Sequence, residues 1–265
     1  MGSTPLGIIR LLTYLSWTAV AIPVQWVALK LGLSFQTSFP RFYHRTCARI
    51  CGMRLDIRGT VARRGPTLFV CNHSSYLDIT VLGGIIEGTF IAKQDVATWP
   101  FFGLLAKLQR SIFVDRRASQ VLRDRQELVR RLEEGSDLIL FPEGTSTDGN
   151  RTLPFKSALF AVAETEVAGK PILVQPVSVS CTHLDGIPVG RDMRSIYSWF
   201  GDMDLVTHLW SMVRLGDLTI TVQFHPPVSF ADFGSRKALS DHCWSQVANG
   251  VANANAGRIR LPVAV

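Results

Sequence analysis

Charge is in short supply in this 265-residue chain. Asp, Glu, Lys and Arg make up 18% of it, where soluble domains carry about 25%, while apolar residues reach 47%. Acidic residues are the scarcer kind, 21 against 28 basic ones, leaving a formal net charge of +7 and an isoelectric point near 9.5. Nucleic-acid binders are basic too, but no recognised nucleic-acid motif accompanies the charge, and a mean hydropathy of +0.19 is high for that class. A protein seated on anionic lipid satisfies both properties.

Paired cysteines are also missing. Cys47, Cys51, Cys71, Cys181 and Cys243 form an odd set without framework spacing, which argues against a disulfide scaffold and fits a reducing cytosolic compartment. His44, Cys47 and Cys51 lack the second Cys/His pair that a tetrahedral site needs, so no metal is expected. Internal repeats and low-complexity tracts are absent too. The length suits one sizeable α/β domain with an appendage.

The appendage is at the N-terminus. Residues 11–29 carry no charge and lie between Arg10 and Lys30. At about 1.5 Å per residue such a stretch nearly crosses a hydrocarbon core of roughly 30 Å. Pro23 and Gln25 interrupt it. The stretch reads as a single spanning helix, as a helical pair broken at Pro23 that dips into one leaflet, or as a cleaved signal peptide. Apolar residues continue through Leu33, which weighs against cleavage. Residues 1–36 are therefore expected to be a membrane-anchoring helical segment, and Arg41, Arg45, Arg49, Arg54 and Arg58 place the remainder on the cytoplasmic side.

Beyond the anchor the pattern alternates. An amphipathic helix is expected from residue 39, ending near Gly52, then strands over 53–61 and 67–71 and a helix over 77–86. Gly83-Gly84 weakens that helix or lets another element approach closely. Strands follow at 89–92 and 111–114, with the aromatic turn Trp99-Pro100-Phe101-Phe102-Gly103 between them, readable as an interfacial anchor or as core. A charged helix over 118–134 carries Arg123, Arg125, Arg130 and Arg131, most simply a solvated face. A strand over 137–141, a helix from 156 to about 168, a strand over 171–180, a late strand over 218–225 and a closing helix over 238–254 complete the pattern. It predicts an α/β fold: a largely parallel sheet flanked by helices, with the N-terminal membrane-associated segment ahead of it.

Ligands of such sheets bind beyond the carboxyl ends of the strands. Three polar residues, His73, Arg116 and Glu143, each stand just past a predicted strand end. In Asn72-His73-Ser74-Ser75-Tyr76-Leu77-Asp78, a buried-type strand stops at a histidine, two serines suit a helix cap, and Asp78 falls in the first turn. This spacing allows the carboxylate to orient the ring of a general base. Taken alone it equally suits a loop histidine beside a carboxylate favoured by the helix dipole. Convergence of the three segments on one edge favours a functional site.

Four blocks occur in order: Asn72-His73 with Asp78 five residues past the histidine, Phe113-Val114-Asp115-Arg116, Phe141-Pro142-Glu143-Gly144-Thr145, and Val174-Gln175-Pro176-Val177. Together they resemble the 1-acyl-glycerol-3-phosphate acyltransferase family, which acylates lyso-lipids in membranes, and the likeness spans about residues 60–180. It implies that residues 37–265 are the acyltransferase domain, with His73 as the base and Asp78 as its orienter. It further implies substrate contacts at Asn72, Lys93, Arg116, Glu143, Gly144, Thr145 and Lys156, with no metal and no cofactor. Implied partners are an acyl donor, either acyl carrier protein or acyl-CoA, and a lyso-lipid acceptor within membrane lipid. Gly144 and Thr145 would offer backbone N–H groups, and Glu143 would orient the loop or a neighbouring cation. Ser74 and Ser75 read as caps rather than nucleophiles, since a thioester is already activated.

The chain departs from the family pattern in two places. Arg110 stands where the second block commonly begins with glycine, and Ser146 where an arginine commonly follows the threonine of the third. Serine supplies neither the charge nor the fork that grips a phosphomonoester. The run Gly144 to Ser157 resembles the branch acting on lyso-ornithine lipid, whose head group carries no phosphate. Lyso-ornithine lipid is therefore the expected acceptor, and lysophosphatidate, giving phosphatidic acid, the alternative. A non-catalytic lipid-binding protein and a hydrolase using His73 and Asp78 on water are the competing classes.

Overall fold

The computed structural model describes residues 2–63, 65–115 and 121–259. The chain opens with helix α1 (Thr4–Leu31), capped by the Ser3 hydroxyl and closed at Gly32, whose φ of 63° lets its N–H return to the Ala28 carbonyl. The helix runs unbroken through Pro23, so of the readings open for this stretch the helical pair broken at the proline is not the one found. A mid-helix proline costs about 3 kcal/mol. Packing offsets this, because Ala21, Gln25 and Ala28 on either side of it are buried. Gln25 Nε2 donates to the carbonyls of Gln36 and Leu108 at 2.9 and 3.0 Å.

Helix α2 (Phe39–Ile50) leads into β1 (Met53–Arg58) and β2 (Thr67–Cys71), followed by α3 (Leu77–Ile85) and β3 (Gly88–Lys93). Next come α4 (Phe102–Leu108), β4 (Ile112–Val114), α5 (Val121–Glu133) and β5 (Asp137–Leu140). A hairpin, β6 (Glu166–Val167) and β7 (Lys170–Pro171), precedes the long β8 (Leu173–Leu184). The remaining elements are β9 (Ile187–Pro188), α6 (Leu205–Val213), β10 (Leu218–Phe224), β11 (Val228–Ser229) and α7 (Arg236–Asn255).

The main sheet runs β1-β10-β8-β2-β5-β3-β4. Neighbours along this path are parallel except β10 and β8, so the expected largely parallel sheet is present. Strand β2 is central and buried on both faces, as its uninterrupted apolar run requires. Phe69 and Cys71 pack on one side with Leu82 of α3 and Ile220 of β10. Leu68 and Val70 pack on the other with Phe160 and Leu239 of α7. Gly83 earns its place through a close approach: a Cβ there would lie 2.7 Å from the His44 ring, so α2 can lean directly on α3.

One prediction fails locally. The helix expected over 156–168 is instead a 3₁₀ stretch, Ser157–Glu164, followed by the β6–β7 hairpin. Ala168 and Gly169 adopt φ of 51° and 70°, a turn that ends any helix there. Helix α6 and the 3₁₀ turn Arg191–Ile196 were not anticipated, although Asp204 capping a run with Leu205, Leu209, Met212 and Val213 at helical spacing was a signal for α6.

One polar tie binds the sheet to α7. The His225 Nε2 donates to Ser178 Oγ at 2.6 Å, and that hydroxyl donates onward to the Val247 carbonyl at 3.1 Å. Burial lowers the His225 pKa from 6.5 to about 4, and burial lowers that of His44 from 6.5 to about 4 as well. Below the unfolded value of 6.5, the unfolded chain takes up protons that the folded protein refuses. Stability is therefore expected to fall as pH drops from about 6.5 toward 4, by on the order of 2 kcal/mol per histidine. Denaturant unfolding in detergent across that range tests this, and His225→Phe should flatten part of the slope. A profile unchanged in that variant would contradict the assignment.

Candidate active site

Strand β2 ends at Cys71, and the next two residues define the site. Asn72 faces the sheet: its Nδ2 donates to the Val179 carbonyl at 2.9 Å and its Oδ1 accepts the Val179 N–H at 2.8 Å. It was expected at substrate, but with 4% exposure and both amide atoms bound to β8 it is a bracket for the strand end. His73 then projects at the carboxyl edge of the sheet. Its ring stacks on Phe141, centroids 4.2 Å apart and planes at 21°, and Phe141 stacks in turn on Phe90.

The His73 Nδ1 lies 3.0 Å from Asp78 Oδ2. Asp78 is fully buried, so its charge must be met by donors. Oδ2 also accepts the N–H groups of Ser74 and Ser75 at 2.7 and 2.9 Å. Oδ1 accepts the Tyr197 hydroxyl at 2.8 Å. With Asp78 holding Nδ1–H, the imidazole lone pair is left on Nε2, the atom a general base needs. Ser74 and Ser75 are buried, and the Ser75 hydroxyl accepts the Leu77 N–H at 3.3 Å, a capping role.

Glu143 lies just past Phe141, the residue after β5, and is 2% exposed. Its Oε1 accepts the His73 N–H and its Oε2 the Leu153 N–H, both at 2.7 Å. The Thr147 N–H closes the same knot on the His73 carbonyl at 3.0 Å. Glu143 was expected either at substrate or as an orienter of the loop. Both of its oxygens hold backbone, one the His73 N–H and the other the Leu153 N–H, which is the geometry of the second expectation. The Gly144 N–H points back to the Phe141 carbonyl at 3.2 Å, so it is not offered to an anion as expected. Thr145 is exposed on the following turn. Lys156 is exposed and its N–H donates to the Pro142 carbonyl at 3.0 Å. Lys93 ends β3 on the same sheet edge with its side chain exposed. Arg116 lies outside the described residues. Among the described residues no cluster of His, Cys, Asp or Glu could hold a metal ion.

Tyr197 had no link to Asp78 in the sequence reading. It stands 119 residues from its partner Asp78, and no spacing rule links the two. A cavity of about 260 Å³ opens beside His73. Its walls are nearly all apolar or aromatic and come from α1 (Leu11, Ile22), α2 (Phe39), α4 (Leu105), α6 (Leu209) and the pair Trp99 and Trp199. The two indoles meet edge to face at 6.2 Å.

Burial pushes the Glu143 carboxyl up from 4.5 to about 7, although two backbone donors favour its ionised form. In Glu143→Gln, one of those donors would face an amide N–H₂ instead of an oxygen. Loss of about 1–3 kcal/mol in stability is expected, with acyl transfer reduced at least tenfold because the His73 peptide shifts. Denaturant melts and initial rates measure both. An unchanged rate would mean that the knot does not place the histidine.

Comparison with known proteins bears on this geometry. A family model described as Acyltransferase matches residues 54–180. The chain is 38% identical over 245 residues to a lyso-ornithine lipid O-acyltransferase of Rhizobium meliloti, covering 91% of this chain and 84% of that one. A protein of the same description from Brucella abortus is 40% identical, covering 83% and 84%. A 1-acyl-sn-glycerol-3-phosphate acyltransferase of Neisseria gonorrhoeae is 32% identical, covering 71% and 72%. The fold matches the crystal structure of the 1-acyl-sn-glycerophosphate acyltransferase from Thermotoga maritima, with a TM-score of 0.68 at 22% identity over 94% of this chain and 96% of that one. With relatives this similar matched over most of their length, the chain belongs to the acyltransferase family and is an acyltransferase.

Proposed function

We propose that the enzyme moves a fatty acyl group from an acyl thioester, carried on acyl carrier protein or coenzyme A, to the free hydroxyl of lyso-ornithine lipid. The observation that carries this reading is the His73–Asp78 pair, 3.0 Å apart, at the edge of an apolar cavity. The cavity suits an acyl chain, and the exposed loop past Glu143 suits the acceptor. His73 Nε2 takes the acceptor's hydroxyl proton as that oxygen attacks the thioester carbonyl. Asp78 steadies the imidazolium that forms. Collapse of the tetrahedral intermediate breaks the C–S bond, and the departing thiolate recovers the proton from His73. No acyl-enzyme is required.

For the acceptor, support comes from the names of the relatives at 38% and 40% identity and from Ser146, which offers no cationic fork for a phosphate. Lysophosphatidate is the second reading, favoured by the Neisseria relative at 32%.

Membrane attachment through α1 is part of the same proposal, and its geometry supports a helix lying along the membrane surface. Near one end the Ser3 N–H donates to the Arg214 carbonyl at 2.8 Å, and Arg10 Nη1 reaches the Leu215 carbonyl at 2.6 Å. Near the other, Gln25 is bonded to Leu108. Some 30 Å of helix thus rests on one domain. A membrane-crossing helix would carry one of these ends away from it. Ile9, Leu12 and Val20 of α1, Phe42 of α2, Phe101 just before α4 and Leu104 within it are exposed apolar groups suited to one leaflet, with the domain on the cytoplasmic side.

Two experiments test these statements. His73→Ala is expected to fold normally and lose acyl transfer by roughly 10²–10⁴-fold, with Asp78→Asn severely impaired. The assay compares both donors, with lyso-ornithine lipid against lysophosphatidate. Turnover retained in His73→Ala would remove the base, and preference for lysophosphatidate would reverse the acceptor. For the anchor, Thr4→Cys and Ser34→Cys should both react with an impermeant maleimide from the same side of sealed vesicles. The five native cysteines are buried and give little background. Labelling from opposite faces would mean that α1 spans.

A further inference from the structure

The buried Asp78 carboxylate is held asymmetrically. Three groups converge on Oδ2: the His73 ring and the N–H groups of Ser74 and Ser75. Oδ1 faces the other way and accepts from Tyr197 at 2.8 Å. An aspartate's terminal torsion is soft and two-fold, so the two oxygens can exchange places unless each is held. Tyr197 is itself fixed. It follows the 3₁₀ turn Arg191–Ile196, and two residues later the Trp199 N–H donates to the Ser74 carbonyl at 2.8 Å. Arg194, three residues before it, donates to the Asn255 carbonyl at 2.8 Å and to Asn150 Oδ1 at 2.7 Å. The tyrosine ring is 1% exposed, and packing alone would be served equally by phenylalanine.

We propose that Tyr197 is a positioning residue for acyl transfer: its hydroxyl holds Asp78 Oδ1 so that Oδ2 stays aligned on the His73 Nδ1–H. The proposal rests on the reading of His73 and Asp78 as base and orienter. By drawing charge toward Oδ1, the phenol also limits how strongly Asp78 retains a proton on the imidazole. With Oδ2 still kept near the ring by the Ser74 and Ser75 N–H groups, removing the phenol leaves more charge on the carboxylate facing the imidazolium, so the ring must be deprotonated at higher pH even as its alignment loosens. The other titratable groups facing this pair are Cys71 at the end of β2, Cys181 of β8, Tyr76 and Glu143. Burial raises the pKa of both thiols and of Tyr76, which leaves them neutral across the working range. Glu143 titrates near 7 and contributes to any rate profile, so the His73 ring must also be followed directly.

The test uses the full-length enzyme in detergent with Tyr197→Phe. Acyl transfer should fall about tenfold in kcat, the scale of one hydrogen bond lost from a charged group, with KM for both substrates unchanged. The acid limb of the rate profile should move to higher pH, as should the His73 ring titration followed by histidine-labelled NMR. A second variant, Tyr197→3-fluorotyrosine, keeps the shape and makes the phenol a stronger donor. It should move both titrations the opposite way, which damage to the fold would not do. Wild-type kcat and titration in Tyr197→Phe would overturn the proposal, as would shifts of the same sign in both variants. His73→Ala, run alongside, separates the two readings. If it stays active, the base assignment fails; if it is inactive while Tyr197→Phe behaves as wild type, only the role of Tyr197 fails.

Discussion

A carboxylate buried without solvent is the constraint around which the rest of the site is arranged. Asp78 carries no exposed surface, and an unpaired charge there would cost several kcal/mol. Four donors meet it, from His73, Ser74, Ser75 and Tyr197. Two of them are backbone groups of the turn that the carboxylate itself helps to close. The histidine presented by that turn is therefore held by the same interactions that make the buried charge tolerable. Folding of the turn and orientation of the His73 ring are one event.

The peptide of His73 is held from the other side by a second buried carboxylate. Glu143 ties the His73 and Leu153 N–H groups together, and Thr147 binds the His73 carbonyl. Segments 70 and more residues apart thus converge on one residue from neighbouring strands β2 and β5. Parallel neighbours deliver their carboxyl ends to the same edge, so sheet topology by itself brings the two motifs together. The Phe141 ring, beside Glu143 in sequence, supplies the flat surface on which the imidazole lies.

The apolar chemistry depends on the N-terminal helix. Leu11 and Ile22 of α1 help to wall the cavity beside His73, while other residues of the same helix remain exposed. One helix therefore presents apolar side chains in two directions, inward to the cavity and outward to solvent or lipid. Carbonyl partners on the domain offset the cost of burying its Arg10 and Gln25. These polar ties make the helix part of the domain rather than a tether to it.

Much of this was legible in the residue order. The uninterrupted apolar run of β2 and the alternation of strands and helices announced a mostly parallel sheet, and the polar residues after successive strands marked its working edge. Local chemistry decides such features, because strand burial and helix starts are written within a few residues. The helix expected after Lys156 failed because a turn at Ala168-Gly169 outweighed a helical composition. At Pro23 the residue order left a broken and a continuous helix both open, and packing on the domain decided for the continuous one by offsetting a lost backbone hydrogen bond. Asn72, Glu143 and Gly144 stand in the motif blocks, yet the Asn72 amide, the Glu143 carboxylate and the Gly144 N–H are all bound to protein. Sequence determines which groups are present at the strand ends; only the tertiary structure decides which way each one faces. Tyr197 is the clearest case. Its hydroxyl meets Asp78 across 119 residues of chain, through a contact that exists only once β8, the 3₁₀ turn and α3 have packed together.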